Sequence, residues 1–555
     1  MPMWLLAVLP LAVLIVAMVA SVPRLRLPLP ADRALPLAAV LAYGVQWVWT
    51  AEAAAIHARV IEGLLSSLTP LAIVFGAVLL FATLERSGAM AVLTGRLRRM
   101  SPDPMAQVLL VGWSLSYLVE GLSGFGTPAA IAAPILVGLG FPAVRVAAAC
   151  LVMNTVPVVF GAVGMPMWFG LGELGLSDAE TGAVARRAAA VQWVTAPVVA
   201  AAALSLLFPW RAIVRRWWMV LAVTGATVGG SWVVARFSVE FPSIVGGLCG
   251  LAASLVVARF VPGEGESAGD EPPPGGPSLV RSALPLGLTV LLLAVTRIEP
   301  LGLRGLLTAT EPAAAAGLGV LGTASVSAVG VVGVEGLLGT AIGWSMPLLY
   351  VPFILPFVAV SLLSVPLLGM SGSAAAGVWA ETVRRLVKPG VALAGALVLV
   401  KLMMHGGDGS PVMAVGGALA AAVGAVRAEL WPVFAPVLGA LGSFFSGSAT
   451  VSNLTFAPVQ DAIAAELGLD RATVLAMQAT GAAIGNMVCV HNIVAVAAVL
   501  GLLHRGGGDE GGEARGDAAA PLPGAGGPVA AILRLTFGPM LVYAAAAALA
   551  VWVLG

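Results

Sequence analysis

Charged residues are scarce in this 555-residue sequence, at 10%, where a soluble globular protein carries about 25%. With 59% hydrophobic residues and a mean hydropathy of +1.01, that scarcity excludes a water-facing surface over most of the chain. A polytopic membrane protein is what remains. Cysteine is scarce too. Cys150, Cys249 and Cys489 lie far apart in apolar runs, which excludes a disulfide framework and a cysteine metal site. No HExxH and no clustered Cys/His set occurs, so no metal centre is expected. The pattern GxxxxGK(S/T) is missing, which speaks against an ATP-driven pump. A net charge of +1 is too small to attract nucleic acid. The opening "MPMWLLAVLPLAVLIVAMVASV" lacks a basic leader and a cleavage site, and reads as a retained first span.

What is present is a series of apolar tracts. At roughly 20 residues per crossing, they predict an all-α polytopic membrane protein of about 12–14 transmembrane helices. Residues 1–260 form an N-terminal transmembrane half, and 280–503 a C-terminal half. Between them, 261–279 is a polar loop rich in Gly, Pro and acid; 504–528 is a second such loop, and 529–555 a final helix. Residues 300–343, rich in Gly and Ala, show no clear period. Arg24, Arg26 and Arg33 lie two spans before Arg96, Arg98 and Arg99, so both clusters can face the cytoplasm.

Two stretches fit poorly into a spanning helix. The first, "EGLSGFGTP", covers 120–128; the second, "SFFSGSATVSN", covers 443–453. Each is a knot of Gly, Ser and Thr between apolar tracts. Asn154 follows Ser123 by 31 positions, and Gln478 follows Ser446 by 32. The matched spacing predicts two internal repeats, each with a broken or re-entrant half-helix. Irregular backbone survives at membrane depth only where it lines a cavity or is buried in protein. Thr127 and Pro128 suit the N-cap and first turn of a half-helix; Ser448, Thr450, Ser452 and Asn453 suit a second. Such ends attract a carboxylate. The alternative is close helix packing by small residues.

At these residues the chain resembles the L-lactate permease family of bacterial symporters. The resemblance is carried by "EGLSGFGTPAAIAAPILVGLGFP" (120–142), "CLVMNTVPVVFGAVGMP" (150–166), "SGSATVSNLTF" (446–456) and "LAMQATGAAIGNMVCVHNIVA" (475–495). It implies a multi-pass carrier of the bacterial inner membrane, not an enzyme. The implied cargo is L-lactate, glycolate or D-lactate, moved with protons by alternating access and without a cofactor. Ala449 departs from the Asp or Asn usual in the family, and Asn486 from the Lys of some members.

The expected substrate-binding residues are Ser123, Gly124, Gly126, Thr127, Asn154, Ser446, Ser448, Thr450, Asn453 and Gln478. Glu120 and His491 are the expected proton-coupling residues, since a charge at membrane depth is costly and protonation removes the cost. A structural role for Glu120, accepting hydrogen bonds from the knot, and a packing role for His491 are the alternatives. Lys401 and His405 read as snorkelling from a span end. Asp461 and Glu466 read as residues of a solvated turn. Sodium coupling, another organic anion as cargo, an anion channel and an intramembrane enzyme remain open; no Ser–Lys or Asp–Asp pair at depth supports the last. Oligomeric state is open.

Overall fold

The computed structural model describes residues 3–19, 29–50, 52–98, 103–124, 127–261, 277–297, 301–424, 427–502 and 527–554. The polar loops expected at 261–279 and 504–528 lie almost wholly outside them. Among the described residues, ten helices are long and apolar enough to cross a membrane, or eleven if the bent pair Arg471–Asn486 and Val490–Val499 counts as one span. Four shorter apolar helices, Met3–Met18, Pro128–Val137, Ile354–Leu367 and Pro411–Ala422, account for much of the higher count expected from hydropathy. An apolar run shorter than about 18 residues does not reach across a bilayer core unaided.

The chain divides into two compact units, and each is built from two separate stretches of the sequence. The first comprises Met1–Gly95 and Asp270–Ala422. Its centre is the helix Gly372–Met403, against which Ala31–Trp49 and Ala53–Ser66 pack backbone to backbone. A Cβ on Gly395 would lie 2.6 Å from Pro36 N, and one on Gly63 would lie 2.7 Å from Val398 Cα. Small residues permit this approach where lipid supplies no hydrophobic drive.

Beside Gly63, the buried Glu62 is held from two sides. Its Oε2 accepts from Arg59 Nη1 at 2.7 Å, and its Oε1 from Lys401 Nζ at 2.7 Å. Lys401 is therefore not a snorkelling residue: its side chain is only 14% exposed and neutralises a carboxylate. Glu62 escaped the sequence reading, because its partner lies 339 positions away. Burial, and then the charge of Arg59, hold His405 below the usual imidazole range, so it adds no further cation at neutral pH.

The unplaced segment forms an antiparallel meander in the order β1 (Pro312–Gly317), β2 (Thr323–Ser327), β3 (Val331–Glu335) and β4 (Trp344–Pro347). Ser325 pairs with Ala315 on one side and Gly333 on the other. These are the only strands among the described residues. β1 is Ala-rich and exposed throughout, so no alternation of apolar and polar residues marks it in the sequence.

The second unit comprises Arg96–Gly269 and Val423–Gly555, and it contains both knots. Trp431–Ser446 and Arg471–Asn486 pack with Gly439, Gly481 and Gly485 against the opposing backbone. Phe160, Met167, Val184, Ala188, Leu475 and Ala479 share its buried core. At one margin Arg471 bridges Asp461, its Nη2 donating to Oδ2 at 2.8 Å, and Glu180, reached by Nη1 at 3.0 Å.

Candidate functional site

Both knots are built by one local device. The helix Ser116–Ser123 stops at Gly124 (φ +63°), whose N–H donates to Glu120 O at 3.0 Å. The helix Trp431–Ser446 stops at Gly447 (φ +69°), whose N–H donates to Ser443 O at 2.8 Å. Only glycine adopts such a φ without strain. A new helix starts within a few residues in each case: Thr127–Val137 and Ala449–Leu467. Ser448 caps the second, its Oγ accepting from Val451 N at 3.3 Å. Ser446 braces the turn by donating to Gly442 O at 2.7 Å and accepting from Ser448 N at 3.2 Å. Gly126 and the Thr127 side chain lie outside the described residues.

Between the knots in sequence, a third irregular stretch closes the site. The helix Ala143–Met153 ends at Asn154 and gives way to a tight turn, Val156–Phe160, then to Gly161–Trp168. Ala162, Val163 and Gly164 have φ of +46°, +56° and +69°. For Ala and Val that conformation costs on the order of 1–3 kcal/mol each, and it persists only where the surroundings enforce it. The stretch on either side is pinned through its freed carbonyls, and Val163 through its own. Gln192 Nε2 donates to Val156 O at 3.0 Å, Ser243 Oγ to Pro157 O at 2.8 Å, Trp168 Nε1 to Val163 O at 2.9 Å, and Asn453 Nδ2 to Pro166 O at 2.9 Å. Broken backbone inside a bilayer needs such partners.

Glu120 lies where these pieces meet. Its carboxylate is buried and accepts from Asn154 Nδ2 through Oε2 at 3.0 Å. Its Oε1 faces Gly161 so closely that a Cβ there would be 2.5 Å away. Glu120 and Gly124, Gly161 and Ala162, Met165 and Pro166, and the turn from Gly447 to Thr450 line one pocket, with Val158 and Asn486. Its empty volume is ≈ 290 Å³, its open mouth included. Among the described residues, Glu120 is the one ionisable side chain in the lining. The N-terminus of Ala449–Leu467 opens onto the same space, where the first N–H groups of a helix have no partner within it.

Of the residues singled out in the sequence, Glu120, Gly124, Ser448 and Thr450 line the pocket. Others stand one step behind it. Asn154 reaches it through Glu120, Asn453 through Pro166, and Ser446 through Ser448. Gln478 supports the second knot, accepting from Gln460 Nε2 at 3.1 Å and donating weakly to Ser452 Oγ at 3.4 Å. Ser123 turns back to Val119 O. His491 is exposed and outside the lining. The reading missed Gly161, Ala162 and Met165 as pocket residues, although "VPVVFGAVGMP" carries two prolines and two glycines in a run otherwise suited to a helix. Among the described residues no group of three or more His, Cys, Asp or Glu could hold a metal.

Comparison with known proteins gives one family. A family model for L-lactate permease matches residues 3–508. A protein of Haemophilus influenzae is 37% identical over 508 residues, covering 91% of this chain and 94% of its own. The glycolate permease GlcA of Escherichia coli is 28% identical over 495 residues, covering 80% and 81%. The L-lactate permease of Escherichia coli is 27% identical over 464 residues, again covering 80% and 81%.

Proposed function

The chain belongs to the L-lactate permease family, and from that premise we propose that it carries L-lactate, glycolate and related small 2-hydroxymonocarboxylates together with protons. It is a transporter rather than an enzyme, and a multi-pass membrane protein, in bacteria of the plasma membrane. The substrate range rests on relatives named for lactate and for glycolate.

One observation carries the rest of the reading: the knots and the broken stretch between them line a single small pocket around a buried carboxylate. The substrate carboxylate sits at the N-terminus of Ala449–Leu467, on the free N–H groups of Ala449 and Thr450. A second negative charge in so small a space repels it. Protonating Glu120 removes that repulsion, so anion and proton enter as a neutral pair. Alternating access then exposes the pocket to each side in turn.

The test is uptake of labelled L-lactate and glycolate into proteoliposomes under an imposed pH or Na⁺ gradient. Saturable uptake driven by inward acidity, with counterflow, is the expected result. Uptake driven by Na⁺ alone overturns the proton assignment, and uncoupled current overturns the carrier.

A further inference from the structure

Two asparagines behind the second knot form a relay. Asn486 ends the helix Arg471–Asn486 and lines the pocket. Asn492 lies on the next helix, Val490–Val499, which bends away by 41°. Both are buried. Asn492 Nδ2 donates to the backbone O of Asn486 at 3.2 Å and to its Oδ1 at 2.6 Å.

The orientation of both amides follows from this pair of bonds. A backbone carbonyl only accepts, so the end of Asn492 that meets Asn486 is its NH₂ group. That group then faces the Asn486 side chain, which must present its own acceptor, Oδ1. The NH₂ of Asn486 is the end left for the pocket. The other end of Asn492 lies against the knot: a Cβ on Gly447 would be 3.3 Å from its Oδ1. The relay thus runs from the pocket amide to the side of the turn at Gly447.

We propose that Asn492 is a positioning residue, which fixes the NH₂ of Asn486 toward the pocket so that it donates to the substrate carboxylate. The proposal rests on the functional reading above. It adds a side-chain donor to a pocket whose lining, among the described residues, holds no Arg or Lys. An inverted Asn486 would present its carbonyl oxygen to the anion instead, which repels where the native orientation binds.

The experiment measures KM and Vmax for L-lactate and for glycolate in proteoliposomes, at matched protein density. Asn486→Ala removes the donor, and KM should rise about tenfold or more with Vmax largely kept, the range for a hydrogen bond to a charged group. Asn492→Leu, of similar size and uncharged, no longer donates to Asn486 and leaves its amide free to turn; KM should rise, by less than in Asn486→Ala. In an Asn486→Ala background, Asn492→Leu should add little to KM, because the group it positions is gone. Asn486→Gln, which keeps the amide, should recover part of the affinity. An unchanged KM in Asn486→Ala overturns the proposal. So does an equal effect of Asn492→Leu with and without Asn486, which marks a role in packing. If Asn492→Leu fails to reach the membrane, Asn492→Ala takes its place in the same comparison. If the unsubstituted protein takes up neither acid, the functional reading fails, and this assignment with it; uptake with unaltered KM in Asn486→Ala removes this assignment only.

Discussion

Asn154 donates its amide to the buried carboxylate of Glu120 at 3.0 Å, while its own Oδ1 is buried without a partner among the described residues. The pair joins the end of the helix Ser116–Ser123 to the start of the broken stretch at Asn154. It also orients the one ionisable group among the described residues of the pocket. Asn154→Ala should therefore lower stability by about 1–3 kcal/mol, the cost of a buried acceptor left without its donor, and lower lactate uptake with it. Adding Glu120→Gln should recover much of the stability, since no carboxylate is then left bare. Thermal unfolding of the detergent-solubilised variants reads this. Equal melting temperatures for the native protein and Asn154→Ala would make the bond incidental.

Coupling is separable from exchange at Glu120. Gln keeps the size of the side chain and mimics its protonated form. If Glu120 carries the proton, Glu120→Gln should still exchange internal for external lactate, yet fail to concentrate it when a pH difference is the sole driving force. Normal accumulation by this variant removes Glu120 from coupling. His491, exposed and outside the pocket lining, is then the residue to substitute next.

Much of this was legible in the sequence because bilayer chemistry is severe. Few charges and long apolar tracts leave only helices, and helices are what the second unit is made of. The knots showed for the same reason: Gly, Ser, Thr and Glu do not gather at membrane depth without a use. What stayed hidden depends on contacts distant in the chain. The broken stretch around the left-handed run Ala162–Gly164 is held on both sides by donors from Gln192, Ser243 and Asn453 and within the run by Trp168, and no local propensity foretells αL geometry at Ala and Val. Glu62 went unremarked because its partner Lys401 lies 339 positions away. Strands β1–β4 hid because a run such as "PAAAAG" suits a helix as well as an exposed strand.

Gly161 is required by contact rather than by backbone freedom. A Cβ there would come within 2.5 Å of Glu120 Oε1, so Gly161→Ala must displace the carboxylate. Uptake should fall at least about tenfold, the scale of a misplaced group at a site. Gly172→Ala, with nothing within 4 Å of its Cβ, serves as the control and should stay within about 0.5 kcal/mol of the native stability. Shortening the neighbour tests the cause: Glu120→Asp combined with Gly161→Ala should transport better than Gly161→Ala alone. A double variant no better than the single one would place the damage in the backbone instead.

In the first unit, Glu62 and Lys401 make a pair whose side chains are 9% and 14% exposed. Removing one member of a buried pair is costly because it leaves the other charge unmatched, by about 3–5 kcal/mol. Arg59 still reaches Glu62, so Lys401→Met should fall near the lower end of that range. The apolar double variant Glu62→Met with Lys401→Met should be more stable than Lys401→Met alone, since Arg59, at 31% exposure, can turn to water. Unfolding of the purified protein in detergent measures all three. A loss below about 0.5 kcal/mol in Lys401→Met would mean that the ammonium is solvated after all, as an exposed pair would be. A double variant less stable than the single one would mean that the pair contributes more through its geometry than its burial takes away.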